Sequence, residues 1–396
     1  MTGPIVEGIA NDGARNRAIT VPAPSRLIAY LRLHPILCLA ILTPGLPEYL
    51  STSSPVLNLV VNPFWFFLGL AINVGQYTAG ALLIREAALR WKKGWGTVFV
   101  LGLAYGITEE GLGDNTLFNN THHADAILGQ YGHFLGVNWV WAVGVLAFHV
   151  IYSIGLPILL LGLALPGTRG HSLLEGRQVP LVFASLAAST ALETVLVWGE
   201  FRFWMGIPLL IGSLVAIAAL TLAGRRAPRE LWAPSRERPW LPSWATFAIG
   251  FGFFPIAFLF EYGLGPHHLP AALLLVIELA TLGLLGELLR RGIGRRRNAR
   301  LVVDLAFGFV AWQALFGLLL TLVLPYTIPL VVVMVWFFVR LRRAYPADPA
   351  PPPAGAMGGA GAEHPLPSGP LAAGPAAPPP LLRHSLGRAM SEESLL

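Results

Sequence analysis

Of the chain's 396 residues, 55% are apolar and only 12% are charged, and the mean hydropathy is +0.62; this excludes a water-soluble domain with an ordinary polar surface and indicates a polytopic membrane protein. The single cysteine, Cys38, excludes an internal disulfide and a multi-cysteine zinc site. The net charge of +6 is no nucleic-acid signal, because the arginines stand beside the ends of apolar runs, as membrane topology requires.

Residues 1–21 are polar, carry Arg15 and Arg17 and precede any apolar run, so no cleavable signal peptide is expected and the first helix acts as the insertion signal. That helix is predicted over 27–42. The following Thr43-Pro44-Gly45-Leu46-Pro47-Glu48 cannot continue a regular helix, and a break is expected there. Further spans are predicted at 64–84, 96–114, 137–165, 179–198, 203–223, 243–260, 269–289 and 301–324. A tenth follows the Pro325–Pro329 turn and ends at Arg340, Arg342 and Arg343. The basic clusters fall at alternate ends of these spans and leave Arg202 as the one outer residue among 27 Lys and Arg. This distribution places both termini in the cytoplasm. All the basic residues but Lys92 and Lys93 are arginine, which suggests a GC-rich bacterial genome and therefore a plasma membrane. From 344 to 396 the chain turns to Pro, Ala and Gly and is expected to be a disordered tail.

The stretch 102–120 departs from this pattern, placing Glu109, Glu110 and Asp114 in the outer half of the third span. A carboxylate at a helix centre costs roughly 2.5–3.5 kcal/mol on insertion scales, so it is retained when paired, hydrated or used. Glu109 and Glu110 are adjacent and point about 100° apart on a regular helix, so they are not expected to serve one partner equally. They are read either as hydrated groups near the outer interface or as a general base that takes a proton from water. His149 falls near the middle of the fourth span, with Ser153 one turn further on the same face. It is either a hydrogen-bonding link between helices or a donor to a developing oxyanion.

Glu278, at the centre of the eighth span, is either a functional group or one paired with Gln76, Gln313 or broken backbone. Glu48 either lines a cavity beside the proline break or starts an outer loop. His122, His123, Asp125 and His133 fit a solvated loop better than a metal site, since their spacing forms no helical ligand pair. Arg85, Glu86 and Arg90 read as snorkelling interfacial charges, the turn 261–268 as an outer loop, and Gly102 with Gly106 as a close-packing pair. No internal repeat, phosphate loop, HExxH pair or nucleophile elbow is present in a suitable context.

A Glu-Glu pair on one membrane helix, followed on a later one by His149 with Ser153 four positions on, resembles the CAAX-type intramembrane proteases, also called the CPBP or bacteriocin-processing family, over about residues 100–155. The resemblance implies a glutamate-dependent peptide hydrolase in which one of Glu109 and Glu110 activates water, the other orients it and His149 supports the oxyanion. Asp114 stands where that family has Arg, and the one Phe-x-x-x-His match, Phe118 with His122, follows too closely to lie on a separate helix. The expected fold is an all-α bundle of about ten spans over 22–343. Its expected partners are the lipid bilayer and a membrane-embedded peptide, with no cofactor, metal or nucleic acid. The rival reading is a proton- or ion-coupled carrier of a small molecule, with Glu278, Glu48 and His149 titrating and the Pro44–Pro47 break as a hinge. A third is a non-catalytic scaffold whose buried charges fix helix register.

Overall fold

The structure, a computed structural model, describes residues 30–31, 33–121, 128–295, 298–320 and 328–346. The polar N-terminus, His122, His123, Asp125, Pro325 and the tail from 347 onward lie outside these residues. The principal helices are α1 (35–49), α2 (Pro63–Arg90), α3 (95–113), α4 (Trp139–Ala164), α5 (Val179–Phe201), α6 (Gly206–Arg226), α7 (Ser243–Leu264), α8 (Ala271–Gly292), α9 (Ala299–Leu320) and α10 (Ile328–Ala344). Among the described residues, seven helices, α2 and α4 to α9, are long and apolar enough to cross a membrane. The chain is therefore a multi-pass membrane protein. The other three helices lie where the remaining expected spans fall, but α10 has only 17 residues and α3 carries both glutamates.

Burial sorts the helices into an inner and an outer set. In α2, α4 and α9, 56%, 56% and 61% of the most apolar stretch is buried, against 11%, 6% and 6% in α5, α6 and α8. The outer three expose Leu181, Phe183, Val215, Val276 and Leu284 without a protein partner to cover them, which water would not tolerate over so wide an area. In the inner set Tyr152 of α4 donates to the carbonyl of Phe309 in α9 at 2.8 Å, beside Phe254 of α7. The backbones of α7 and α9 meet directly: a Cβ on Gly250 would fall on the carbonyl of Leu305, and one on Gly308 would fall on that of Phe247. Leucine at either position should destabilise the protein by about 1–3 kcal/mol or more, read as a lower melting temperature in detergent. Gly212→Leu, where nothing lies within 4 Å of the new Cβ, should leave melting unchanged.

Apart from Arg202, the described basic residues gather at one end of the bundle, where they tie helix ends together. Lys93 donates to the carbonyl of Ala227 at 2.5 Å. Arg169 donates to Tyr345 Oη at 2.8 Å. Asp304 takes Arg300 at 2.9 Å and Arg342 at 2.8 Å. Arg85 and Glu86 do not snorkel as expected: each is only 2% exposed. Arg85 donates to the carbonyls of Thr168 and His171 at 2.5 and 2.8 Å, and Glu86 accepts from the backbone of Leu173 and from Arg90. The loop after α4 needs carbonyl and amide partners, and this pair supplies them from the helix interior.

The helices are not regular throughout. π-Helical turns, with i→i+5 bonds, occupy Gly45–Tyr49, Val74–Thr78, Ile107–Gly113, His149–Gly155 and Leu259–Leu264. The first replaces the expected break: Pro44 and Pro47 have no N–H, and beyond them Leu50 N reaches back five residues to the carbonyl of Gly45 at 3.0 Å. The last carries α7 past the expected end of its span, so Glu261 is a buried helix residue and not part of an outer loop. Such wide turns leave carbonyls short of donors, and α5 supplies two: Thr194 donates to Leu112 O at 2.7 Å and Ser185 to Gly75 O at 3.3 Å.

Candidate active site

Glycine brings α3 against α4. A Cβ on Gly102 would meet the backbone of Val150 at 3.3 Å, and one on Gly106 would meet Leu146 at 2.7 Å and the Cβ of His149 at 3.3 Å. The close-packing pair read from the sequence therefore also sets the distance between the glutamates and the histidine. Glu109 lies 14 residues beyond Trp95 at the basic end, about 21 Å along the axis at roughly 1.5 Å per residue.

Both glutamates reach the same imidazole atom. His149 Nε2 lies 2.6 Å from Glu109 Oε2 and 2.7 Å from Glu110 Oε1. On a regular helix the two side chains would point about 100° apart and are not expected to serve one partner equally. Ile107–Gly113 is π-helical, and its wider turn swings neighbouring side chains toward one face. His149 sits at the start of the π-helical turn His149–Gly155, and its Nδ1 lies 2.9 Å from Ser153 Oγ, the partner expected one turn on.

The contacts are not equivalent. The geometry runs a hydrogen bond from Nε2 to Glu110 Oε1, and Thr116 donates to the other oxygen of Glu110. Thr116 in turn accepts from Trp141 Nε1 at 2.9 Å. Glu110 is thus fully engaged. Glu109 Oε1 accepts from Tyr77 at 2.8 Å, whereas its Oε2, buried against the imidazole, receives no hydrogen bond. The Tyr105 hydroxyl is also buried without a hydrogen-bond partner among the described residues, on a ring whose centroid is 5.9 Å from that of His149.

Two further carboxylates join the cluster. Glu48, on the π-helical turn of α1, lies 2.7 Å from the same Tyr77 hydroxyl, whose single proton it shares with Glu109, and accepts from Ser54 at 3.0 Å, so it is neither a loop residue nor far from the pair. Glu193 of α5 accepts from Gln76 Nε2 at 2.9 Å and occupies the space beside Gly113 where a Cβ would go. Gln76 therefore serves Glu193 and not Glu278. Glu278 lies elsewhere, half-buried beside Glu261 at a small cavity of about 40 Å³ between α4, α7 and α8. His133, in the two-residue strand pair that precedes α4, lies 3.4 Å from the carbonyl of Phe118.

Sequence reasoning missed Tyr77, Tyr105 and Glu193. Glu193 had a signal, a carboxylate in the apolar run Ala191–Val197. The tyrosines had none, since tyrosine is unremarkable in a membrane helix.

Glu109, Glu110 and His149 each offer one ligand atom within 4.8 Å of the others, a donor set that a divalent ion could share. The same three groups suit acid–base chemistry on water: one carboxylate oxygen free to accept a proton, a second carboxylate fixing the imidazole, and the imidazole within reach of both. The close approach can be tested directly. Gly106→Val should push α4 away, separate His149 from the glutamates and abolish whatever activity the site has, whereas Gly45→Val, with nothing within 4 Å of its Cβ, meets no such obstruction. No known protein family, curated protein or solved structure matches the chain.

Proposed function

We propose that the chain is an intramembrane peptide hydrolase of the CAAX-protease type, with Glu109 as the general base. The observation that carries this reading is the convergence of Glu109, Glu110 and His149 on one buried point, in the order that the motif resemblance requires. Glu109 Oε2, the one carboxylate oxygen of the pair without a hydrogen bond, takes the proton as water attacks the peptide carbonyl. Glu110 orients the imidazole. The oxyanion, carrying a full charge, then competes with Glu110 Oε1 for the Nε2–H of His149. Tyr105, with its hydroxyl free, is a second donor. The proton on Glu109 then passes to the leaving amine as the C–N bond breaks, which regenerates the carboxylate. In this reading α1, α3 and α10 also span the bilayer, giving about ten spans, with both termini and the basic end in the cytoplasm of a bacterial plasma membrane.

The test is reconstitution of the purified protein into liposomes with a library of single-span peptides, assayed by mass spectrometry for cleavage within the span. Cleavage that survives a divalent-ion chelator fits a carboxylate-activated water. Cleavage lost on chelation and restored by added metal would instead assign the three groups to an ion.

One observation favours a second reading, proton-coupled transport: Glu48, Tyr77, Glu109, His149 and Glu110 form an unbroken chain of contacts along which a proton could pass. Glu278 is not part of that chain. Proteoliposomes carrying a trapped pH dye would separate the two, because a carrier moves protons without consuming peptide.

A further inference from the structure

We propose that a cavity at the basic end of the bundle binds an anionic phospholipid, with the phosphate at the rim and the acyl chains within. The cavity has a volume of about 1040 Å³, at the upper limit of the roughly 300–1,000 Å³ usual for small-molecule sites. Its wall is apolar, formed by residues such as Phe99, Leu156, Leu159, Phe253 and Phe309 of α3, α4, α7 and α9. A small polar metabolite would find nothing to bond there.

The rim is different. Lys92, Lys93, Arg229, Arg290 and Arg295 stand there against only two carboxylates, Glu230 and Glu287. Arg290 is held by Glu287 at 2.6 Å, Arg295 by Glu230 at 3.1 Å, and Lys93 by the carbonyl of Ala227. The side chains of Lys92 and Arg229, both exposed, have no ion-pair or hydrogen-bond partner among the described residues. A phosphate is the complement of this arrangement, and basic pockets between membrane helices on the cytoplasmic side favour anionic headgroups. Trp95 and Trp232 also line the cavity near this rim, where indoles suit the headgroup level.

Entry from the bilayer is provided by α8, the helix least covered by protein together with α6. Facing the cavity it carries Gly283, with nothing within 4 Å of where a Cβ would be, and Gly286, with only the Trp232 indole at 3.8 Å. Val150 and Ile151, the residues after His149, belong to the same wall. An occupant therefore bears on the turn that carries the candidate active site without touching its carboxylates.

The test uses the full-length protein, purified in detergent and stripped of lipid. Phosphatidylglycerol and phosphatidylcholine with identical acyl chains are titrated separately and read as adducts by native mass spectrometry and as shifts in melting temperature. Each free cation is worth about fivefold in affinity for an anionic headgroup, so the wild type should prefer phosphatidylglycerol by at least about tenfold. Lys92→Glu/Arg229→Glu, two exposed changes, should remove that preference while leaving a folded protein. Gly283→Phe should fill the cavity and reduce binding of both lipids. Equal binding of the two lipids by the wild type, an undiminished preference in the double variant, or unchanged binding in Gly283→Phe would each overturn the proposal.

Discussion

Glu109→Gln is expected to leave a folded, inserted protein and to lower peptide cleavage by about 10²–10⁴-fold, the usual contribution of a general base. Glutamine keeps the volume of the side chain and its bond with Tyr77, so the melting temperature should stay near that of the wild type. What is lost is the oxygen that receives the water proton. Glu110→Gln should also impair cleavage, but through a disordered imidazole: the bonds to Nε2 and Thr116 weaken, and melting falls as well. His149→Ala is a poorer probe. It leaves two neighbouring carboxylates in the protein interior without their shared partner, and breaking a buried pair in this way costs about 3–5 kcal/mol. Turnover and melting measured together on the three variants separate chemistry from architecture, and a scaffold would show changes in melting alone.

Arg85→Ala should be the most destabilising single change outside the site, again by about 3–5 kcal/mol. The guanidinium is 2% exposed and holds the carbonyls of Thr168 and His171 together with Glu86. Its removal leaves Glu86 buried and the loop after α4 without its anchor. The expected signature is a large fall in melting temperature and protease cutting within 166–178 at temperatures where the wild type resists. Arg85→Ala/Glu86→Gln should recover part of the loss, because no buried charge is then stranded. Equal melting of Arg85→Ala and the wild type would mean that the loop is held by its own contacts.

The positions of the helices were legible because hydrophobicity is a property of runs, and runs of roughly twenty apolar residues admit few alternatives. Their internal geometry was not. Four of the π-helical turns carry Glu48, Gln76 with Tyr77, Glu109 with Glu110, and His149 with Ser153, and a single inserted residue per turn leaves no mark on a hydropathy pattern. For the same reason regular-helix angles give no sign that Glu109 and Glu110 both reach His149, although unequally. The pairing of His149 with Ser153 was legible, since it is local. The links from Glu48 and Tyr77 to Glu109 were not, because they depend on which helices become neighbours. Arg85 misled in the opposite sense: a charge at a helix end usually meets water, and only the fold of residues 166–178 over it shows that here it does not.

Isotope labelling tests whether Glu109 delivers water to a peptide bond inside the membrane. The reconstituted wild type and Glu109→Gln would be incubated with a single-span peptide in water enriched in oxygen-18, and the new C-terminal fragment weighed. One labelled oxygen is expected in the new carboxylate with the wild type, and none above background with Glu109→Gln at equal folded protein. Label incorporated at the wild-type rate by Glu109→Gln, or no cleavage of any span by the wild type while the same liposomes pass protons, would contradict it.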